Sequence, residues 1–333
     1  MGYRWGIIGT GHIAHQFAKG LKICSSSECY AVASRGMETA KRFAKEEEFA
    51  KAYGSYEELF KDPLVDIVYI ATPNHLHYSL TMEALENGKN VLCEKPFASN
   101  LAQVKEMVEK AKEKNLFLME ALWSRFLPSI IETKKLIETG EIGTPLILQA
   151  EFGIHPPYNP ESRLFNPELG GGTIPDIGIY PIFLSLLLFG EPTEIKVVST
   201  PAETGTDMST AIIMKHQSEK ISVLLSTFAT SLKSNATISG TEGRIELKRM
   251  FHTPTRVTVL KEKEEKEREI ELSYVGNGYN YEAEEAIKCL NEKKIESNLL
   301  PHSFSIKLME LLDKVTSLAK GSGVKTEIIN QGE

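Results

Sequence analysis

Three side chains have the clearest chemical potential in this sequence: Lys95, Asp176 and Tyr180. A lysine cation can stabilise a developing alkoxide. A tyrosine, with an ordinary pKa of ~10, becomes an effective base only where a nearby cation favours the phenolate. Asp176 and Tyr180 are four residues apart, so on a helix they share one face. These residue types predict proton transfer at a hydroxyl group, with either Lys95 or Tyr180 as the proton-transfer group.

Each of the three also has an ordinary structural explanation. Lys95 could be a solvent-exposed lysine that follows a strand, and Asp176 suits the first turn of a helix, where a carboxylate caps free N–H groups. Tyr180 could be a packed aromatic residue, because the helix around it is strongly apolar. The functional interpretation of Lys95 is favoured by its place in a series of loops that follow strands.

A glycine-rich turn near the N-terminus predicts which kind of cofactor binds beside these residues. A short apolar strand ending at Ile8 is followed by a Gly-x-Gly-x-x-Ala turn and an amphipathic helix. Gly9 permits the tight turn, Gly11 lets the backbone approach a pyrophosphate, and Ala14 replaces the third glycine. The helix N-terminus favours the anion. We therefore expect a dinucleotide cofactor bound by Gly9, Thr10, Gly11, His12 and Ile13.

The end of the second predicted strand indicates which dinucleotide binds. Many sheets of this type carry Asp or Glu there, which holds a ribose 2′-hydroxyl. This chain has Ser34 and Arg35 instead, and a guanidinium binds a 2′-phosphate that a carboxylate would repel. The sequence therefore favours NADP over NAD, although Arg35 could also be a surface charge at the start of a helix.

A third loop follows the strand Val65–Ala71 and carries Thr72, Asn74 and His75. Ligands bind beyond the carboxyl ends of such strands, so Thr72 and Asn74 are expected near the nicotinamide ribose. His75 and His77 have no accompanying cysteine or carboxylate cluster, so no metal site is predicted.

The order of predicted elements divides the chain into two domains. Residues 1–122 alternate strands and helices, which predicts a parallel sheet covered on both faces, a Rossmann-type α/β domain that binds NADP. Residues 123–333 contain mostly strands, which predicts an α+β domain for substrate binding and oligomerisation, built on a large, open-faced, antiparallel or mixed sheet. The strand Lys220–Thr227 is apolar or small on both faces, so we expect a helix layer or a partner subunit to cover its second face.

Composition narrows the class of partner and compartment. The 333 residues carry a net charge of −7, which argues against nucleic acid and anionic membranes as partners. The four cysteines lack paired or zinc-type spacing and indicate a reducing compartment. The chain enters its first core strand at once, which leaves no room for a signal peptide, and the apolar run 179–189 is too short to span a bilayer. We therefore expect a cytoplasmic protein.

Several motifs together resemble one known family. These are the glycine turn, Thr72-Pro73-Asn74-His75, Glu94-Lys95-Pro96, Trp123-Ser124-Arg125-Phe126-Leu127-Pro128, the stretch from Gly170 to Tyr180, Tyr279-Asn280-Tyr281-Glu282-Ala283 and Leu300-Pro301-His302. Over almost the whole chain they resemble the glucose–fructose oxidoreductase / inositol dehydrogenase (Gfo/Idh/MocA) superfamily. Many members have His at the position of Tyr180. The combination of Tyr180 with Trp123 and Arg125 most resembles the branch of dimeric trans-dihydrodiol and D-xylose 1-dehydrogenases, and it puts inositol-type substrates in doubt.

The resemblance implies roles for individual residues. Lys95 and Tyr180 would be catalytic, Asp176 would orient the substrate, and Arg125 would lie near the nicotinamide. The Lys95–Pro96 peptide bond would be cis, which would aim Lys95 into the cleft. The matching motifs also place His75, Glu94 and Trp123 among the cofactor-binding residues.

The sequence as a whole predicts an NADP-dependent oxidoreductase that acts on a carbinol carbon of a sugar, polyol or vicinal diol. The alternative is a non-catalytic NAD(P)-binding regulatory protein on the same scaffold, which would not need Lys95, Asp176 and Tyr180 together. Arg163 is expected to contact the substrate, and further pocket-lining candidates are His155, Tyr158, Tyr279 and His302. The expected assembly is a homodimer formed through the sheet of the second domain.

Overall fold

The computed structural model describes residues 2–262, 264, 266–320 and 325–329. The chain divides into two compact units. The first contains Met1–Phe126 and Tyr274–Met309, and the second contains Leu127–Ser273 and the segment that begins at Glu310. This division differs from the expected one, which placed everything after residue 122 in the second domain, because residues 274–309 return to the first unit.

The elements follow one another in this order. The strands are β1 Tyr3–Ile8, β2 Ser27–Ala33, β3 Lys51–Tyr53, β4 Ile67–Ile70, β5 Asn90–Glu94, β6 Leu118–Ala121, β7 Pro145–Gly153, β8 Pro192–Pro201, β9 Asp207–His216, β10 Ile221–Thr227, β11 Ala236–Gly240, β12 Gly243–Leu247, β13 Arg256–Lys261, β14 Arg268–Glu271 and β15 Lys325–Ile328. The α-helices are α1 His12–Leu21, α2 Met37–Glu47, α3 Tyr56–Lys61, α4 His77–Glu86, α5 Leu101–Lys114, α6 Pro128–Glu138, α7 Ile179–Phe189, α8 Asn280–Asn291 and α9 His302–Ala319. Short 3₁₀ turns span Asn74–Leu76, Trp123–Phe126, Pro167–Leu169 and Gln217–Glu219, and a π-helical turn spans Ile174–Gly178.

The first unit is built on a six-stranded parallel sheet with the order β3-β2-β1-β4-β5-β6. The strand order reverses between β1 and β4, and sheets of this kind bind ligands in the crevice beyond the strand ends at that point. The apolar spacing of α1 buries Ala14, Phe17 and Leu21, and the Phe17 ring stacks on Tyr69 of β4. The predicted Rossmann-type architecture is confirmed.

Two short elements of this unit were not predicted. Helix α2 ends at Glu47 because Glu48 adopts the left-handed conformation (φ 60°), which terminates a helix. Residues from Lys51 then form β3, and Ser55 caps α3 by accepting a hydrogen bond from the Glu58 N–H. Elements of three and six residues are too short for a periodic pattern to reveal.

The second unit is built on a nine-stranded mixed sheet with the order β14-β13-β12-β11-β7-β10-β9-β8-β15. β7 and β10 pair in parallel, and the other recorded pairs are antiparallel. The helix α7 packs against β7 and β10. This architecture confirms the predicted open-faced mixed sheet.

Part of this sheet exposes apolar side chains. Val223 and Ile213 face each other on neighbouring strands, and Val198 lies on the next strand; each is 43–47% exposed. The side chains of the opposite face, such as Leu224 and Ile212, are buried. The two-sided apolar strand expected from the sequence therefore presents one of its faces on the surface of the unit.

One helical stretch, Pro167–Phe189, is long and apolar enough to cross a membrane by length and composition alone. Its most apolar window is 78% buried inside the structure. The stretch contains the π turn and α7, so its apolar side chains are accounted for by packing within the second unit.

Candidate active site

The turn between β1 and α1 is shaped to accept an anion. Gly9 has a φ of +102°, and a Cβ there would lie 2.8 Å from the Ala71 carbonyl oxygen. Gly11 is the N-cap of α1, with open space where a Cβ would stand. No side chain caps this helix, and its first turn holds no acid. The free N–H groups and the helix dipole therefore suit a phosphate, as the sequence predicted.

The loop after β2 places a cation at the surface of the same unit. The Ser34 N–H donates to the Tyr53 carbonyl at 3.2 Å, which fixes the start of the loop. Arg35 is exposed, and in the part of the chain that is described its guanidinium forms no ion pair. An uncompensated guanidinium at this strand end is suited to an additional phosphate group.

The loop after β4 contains a buried hydroxyl. Thr72 is buried and its Oγ1 has no hydrogen-bond partner, and the Nδ1 atom of His75 also has none. Asn74 begins the 3₁₀ turn and is half-buried. An orphaned hydroxyl at this strand end fits a ligand that supplies its hydrogen bond. Among the residues described, no three His, Cys, Asp or Glu side chains cluster in a way that could hold a metal ion.

Lys95 lies directly after β5, in a turn whose Lys95–Pro96 peptide bond is cis, which confirms that prediction. The Lys95 N–H donates to Glu94 Oε2 at 3.1 Å, and the Tyr69 hydroxyl donates to Glu94 Oε1. Glu94 is only 7% exposed. Its carboxylate therefore helps to fix the turn from inside the unit.

Two buried acids near this turn were missed by sequence reasoning. Glu120 on β6 is 2% exposed, and burial raises its pKa to about 7. Glu282 on α8 is fully buried, and neither of its carboxyl oxygens has a hydrogen-bond partner. Burial first, and then the neighbouring Glu94, raise the pKa of Glu282 well above its usual range.

Aromatic and basic residues from the matched motifs meet elsewhere in this unit. The rings of Trp123 and Tyr279 are stacked, with centroids 4.3 Å apart and planes 5° apart. Arg125 is buried and its Nε donates to the Leu299 carbonyl at 2.8 Å. His302 is also buried, with Nε2 2.8 Å from the Leu118 carbonyl oxygen, so it packs inside the unit instead of lining an open pocket.

In the second unit, Asp176 lies in the π turn Ile174–Gly178 instead of in a regular α-helix. The π hydrogen-bonding pattern is rare and often marks functional sites. Asp176 Oδ1 accepts a hydrogen bond from Arg163 at 2.8 Å, so the two predicted substrate residues meet. The N–H of Ile174 at the start of this turn donates to Asp207, which was not predicted.

Tyr180 is the second residue of α7 and is only 7% exposed. Its ring lies 4.9 Å from the His252 ring and 5.7 Å from the Phe152 ring, and His252 stacks on Phe152 at 4.3 Å. His252 has no motif around it that the sequence could reveal. Aromatic packing therefore holds the Tyr180 ring, as its structural explanation predicted. Packing of the ring does not conflict with a chemical role for the hydroxyl group.

The remaining pocket candidates lie in the loop 155–167. Tyr158 is exposed and its ring meets Phe165 edge to face at 4.9 Å. His155 Nδ1 lies 3.3 Å from the Phe228 carbonyl oxygen. This loop therefore presents Tyr158 and Arg163 at the surface of the second unit.

Two family models match the chain. Residues 3–122 match an oxidoreductase family described by its NAD-binding Rossmann fold, and residues 130–246 match the GFO/IDH/MocA C-terminal domain. The chain belongs to the GFO/IDH/MocA oxidoreductase family. The family predicted from the motifs is thus confirmed, and the first unit is an NAD(P)-binding Rossmann domain.

Curated relatives match this oxidoreductase over almost its whole length. It is 36% identical to a trans-1,2-dihydrobenzene-1,2-diol dehydrogenase from Xenopus tropicalis, over 94% of this chain and 97% of the relative. The human enzyme of the same name is also 36% identical, over 95% and 96%. These relatives are named dehydrogenases, as the predicted branch implied, and the chain is an enzyme of this oxidoreductase class.

Solved structures share the fold at low sequence identity. A levoglucosan dehydrogenase in complex with NADH and levoglucosan has a TM-score of 0.88 and 20% identity, over 98% of this chain and 99% of that one. A 3-ketoreductase from Actinomadura kijaniata in complex with NADP and TDP-benzene has a TM-score of 0.85 and 24% identity, over 96% and 98%. The two contain different nicotinamide dinucleotides, so the fold alone does not select between them.

Proposed function

We propose that this oxidoreductase transfers a hydride between NADP(H) and a carbinol carbon of a sugar, a polyol or a vicinal diol. The proposal rests on one observation, that the uncapped N-terminus of α1 occurs in the same chain as Lys95, Asp176 and Tyr180. The relatives named as trans-dihydrodiol dehydrogenases support a substrate with neighbouring hydroxyl groups.

The residues present fit a dinucleotide with a 2′-phosphate. The turn Gly9–Ile13, with Thr10 and His12, would hold the pyrophosphate, and Ser34 and Arg35 would hold the 2′-phosphate. The nicotinamide end would be held by the polar and aromatic residues of the later loops, which are Thr72, Asn74, His75, Glu94, Lys95, Trp123 and Arg125. When bound, NADP supplies the hydride acceptor.

Side chains of the protein would transfer the proton of the substrate hydroxyl group. Either Tyr180 accepts the hydroxyl proton while a cation stabilises the phenolate, or Lys95 is the proton-transfer group and Tyr180 donates a hydrogen bond. Asp176 would orient a substrate hydroxyl, and Arg163, which already binds Asp176, would contact the substrate.

A substrate screen tests this proposal. Purified protein is mixed with aldoses, polyols and trans-dihydrodiols, with NADP and NAD in parallel, and the absorbance of the reduced nicotinamide is followed. We expect turnover with at least one of these classes and faster turnover with NADP. Cofactor binding without turnover in either direction would contradict the proposal and favour a regulatory role.

We propose further that two copies pair through the exposed face that contains Val198, Ile213 and Val223. A second copy would place like apolar side chains against each other around a two-fold axis. Light scattering should give a dimer for the wild type and a monomer for Ile213→Asp, whereas a matched change at Val275, which is exposed on the first unit, should leave the dimer intact. A monomeric wild type would contradict this assembly.

We also propose that the protein is cytoplasmic, which its composition supports. The four cysteines are free thiols, as expected for a reducing compartment. Fractionation of cells that express the protein would test this, and recovery in the membrane or secreted fraction would contradict it.

A further inference from the structure

The backbone around Lys95 is bound by buried ionisable side chains from three elements. The Lys95 N–H donates to Glu94 Oε2 at 3.1 Å, at the end of β5. The Pro96 carbonyl oxygen lies 2.8 Å from Nδ1 of His77, the first residue of α4. The Phe97 N–H donates to Oε1 of Glu120, on β6, at 3.1 Å. Three successive residues of the turn are therefore tied to three different parts of the first unit.

Each of these side chains is anchored by a second contact. His77 Nε2 lies 2.9 Å from the Thr72 carbonyl oxygen, and the Tyr69 hydroxyl donates to Glu94. The Ser305 hydroxyl, on α9, donates to Glu120 Oε2 at 2.7 Å. Both carboxyl oxygens of Glu94 and of Glu120 accept hydrogen bonds, and a neutral His77 donates to one of the two carbonyl oxygens that it faces. The turn therefore cannot shift without breaking several hydrogen bonds in a water-poor interior.

We propose that Glu120 is a positioning residue, which with His77 and Glu94 holds the Lys95 turn in the one place where Lys95 acts. Glu120 acts on the turn through the Phe97 N–H. The role of Lys95 in this statement rests on the proposed function, whereas the restraint of the turn does not.

The partner of Glu120 suits this task in either charge state. A hydroxyl both donates and accepts, so Ser305 can donate to an ionised Oε2 or accept from a protonated one. Oε1 then continues to accept from Phe97. The titratable groups around Glu120 are Cys93, Glu94 and Lys95 at the end of β5 and, on α9, His302, which is bound to Leu118 two residues away. The hydrogen bonds survive a change in the charge of Glu120, so the restraint persists across neutral pH.

Variants at Glu120 separate its geometry from its charge. In Glu120→Gln the amide oxygen can accept from Phe97 and the amide nitrogen can donate to Ser305, so the restraint remains without the charge. Glu120→Leu removes both bonds. Ser305→Ala removes only the anchoring bond and is the matched control for a change in the same buried contact.

Hydrogen exchange at the Phe97 amide measures the restraint directly. Loss of this buried hydrogen bond should speed exchange roughly 10- to 100-fold in Glu120→Leu, with a smaller effect in Ser305→Ala and the smallest in Glu120→Gln. The amides of β9, in the second unit, serve as the internal control, since they should not change. Unaltered Phe97 exchange in Glu120→Leu, or equal acceleration in Glu120→Gln, would overturn the proposal.

Kinetics tests the consequence for Lys95. We expect Glu120→Leu to lower kcat with little change in KM, and Glu120→Gln to retain a clearly higher kcat than Glu120→Leu across pH 6–9. An equal fall in both variants would mean that charge rather than position matters, and would overturn the proposal. If Glu120→Leu does not fold, Glu120→Gln still tests whether position or charge matters, because a large fall in its kcat would show that the charge is needed.

A Lys95→Met variant separates the test of the proposed function from the test of the positioning role of Glu120. If it turns over normally, the proposed catalytic site fails, while the exchange data at Phe97 still decide whether Glu120 restrains the turn. If Lys95→Met is inactive and Phe97 exchange is unaltered in Glu120→Leu, the proposed function stands and the positioning role fails.

Discussion

The two units hold their proposed functional groups in different ways. In the first unit the groups belong to main-chain turns: Gly9 is fixed by its close approach to Ala71, and the Lys95 turn is tied by buried side chains. In the second unit Asp176 is held by Arg163, whose side chain is 61% exposed. A turn held by several buried hydrogen bonds has one shape, whereas an ion pair with an exposed arginine can rearrange at lower cost. We infer that the first unit binds a ligand of fixed shape and that the second can adapt to different substrates.

The largest effects should follow loss of the proposed catalytic groups. We expect Lys95→Met and Tyr180→Phe each to lower kcat by roughly 10²- to 10⁴-fold, the usual contribution of a general acid or base. NADPH binding, followed by fluorescence titration, should largely survive. Lys105→Met and Tyr78→Phe, changes of the same types at residues outside the proposed site, are the controls. Normal turnover in both catalytic-site variants would remove this assignment.

A smaller but specific effect is expected at the cofactor end. Arg35→Ala should weaken NADPH binding roughly 10- to 100-fold, because a charged hydrogen bond to phosphate is lost, and should leave NADH binding almost unchanged. Arg42→Ala removes an exposed arginine of α2 and should change neither. Equal losses for NADPH and NADH in Arg35→Ala would contradict a 2′-phosphate site.

The two members of the Arg163–Asp176 pair should differ in importance. Asp176→Asn should lower kcat/KM roughly 10-fold or more, because it removes a charge that orients the substrate. Arg163→Ala should cost less than about fivefold, since an exposed ion pair contributes little. A larger loss for Arg163→Ala would show that the second unit is as rigid as the first, and would break the contrast between them.

The smallest effect concerns stability and its dependence on pH. Glu282 is fully buried with a raised pKa, so it favours the folded state below the unfolded pKa of about 4.3 and loses that contribution as the pH rises towards the folded value. Glu282→Gln has no acid at this position, so its stability should not fall as the pH rises. The difference in Tm between the variant and the wild type should therefore be larger, in favour of the variant, at pH 8 than at pH 5. Glu284→Gln, at an exposed position on the same helix, should show no such trend. A pH-independent difference in Glu282→Gln would contradict a buried neutral acid.

The same contrast explains what the sequence could predict. The turn Gly9–Ala14 and the Lys95 turn are local, so neighbouring residues reveal them. Glu120 and Glu282 resemble ordinary acids in the sequence, because their burial depends on residues far away along the chain. Glu282, for example, lies near Glu94, 188 positions earlier. The π turn at Asp176 also escaped prediction, since the i, i+4 spacing of Asp176 and Tyr180 suits a regular helix.

The return of residues 274–309 to the first unit affects how the protein is made. A Cβ at Gly20 would lie 2.8 Å from the Asn280 backbone nitrogen, and the Leu118 N–H donates to the Ile295 carbonyl at 3.0 Å. The surface of α1 and the edge at β6 are therefore completed by residues translated long after the first 126. A nascent chain therefore cannot complete this NAD(P)-binding unit until residues 127–273, most of the second unit, have been synthesised.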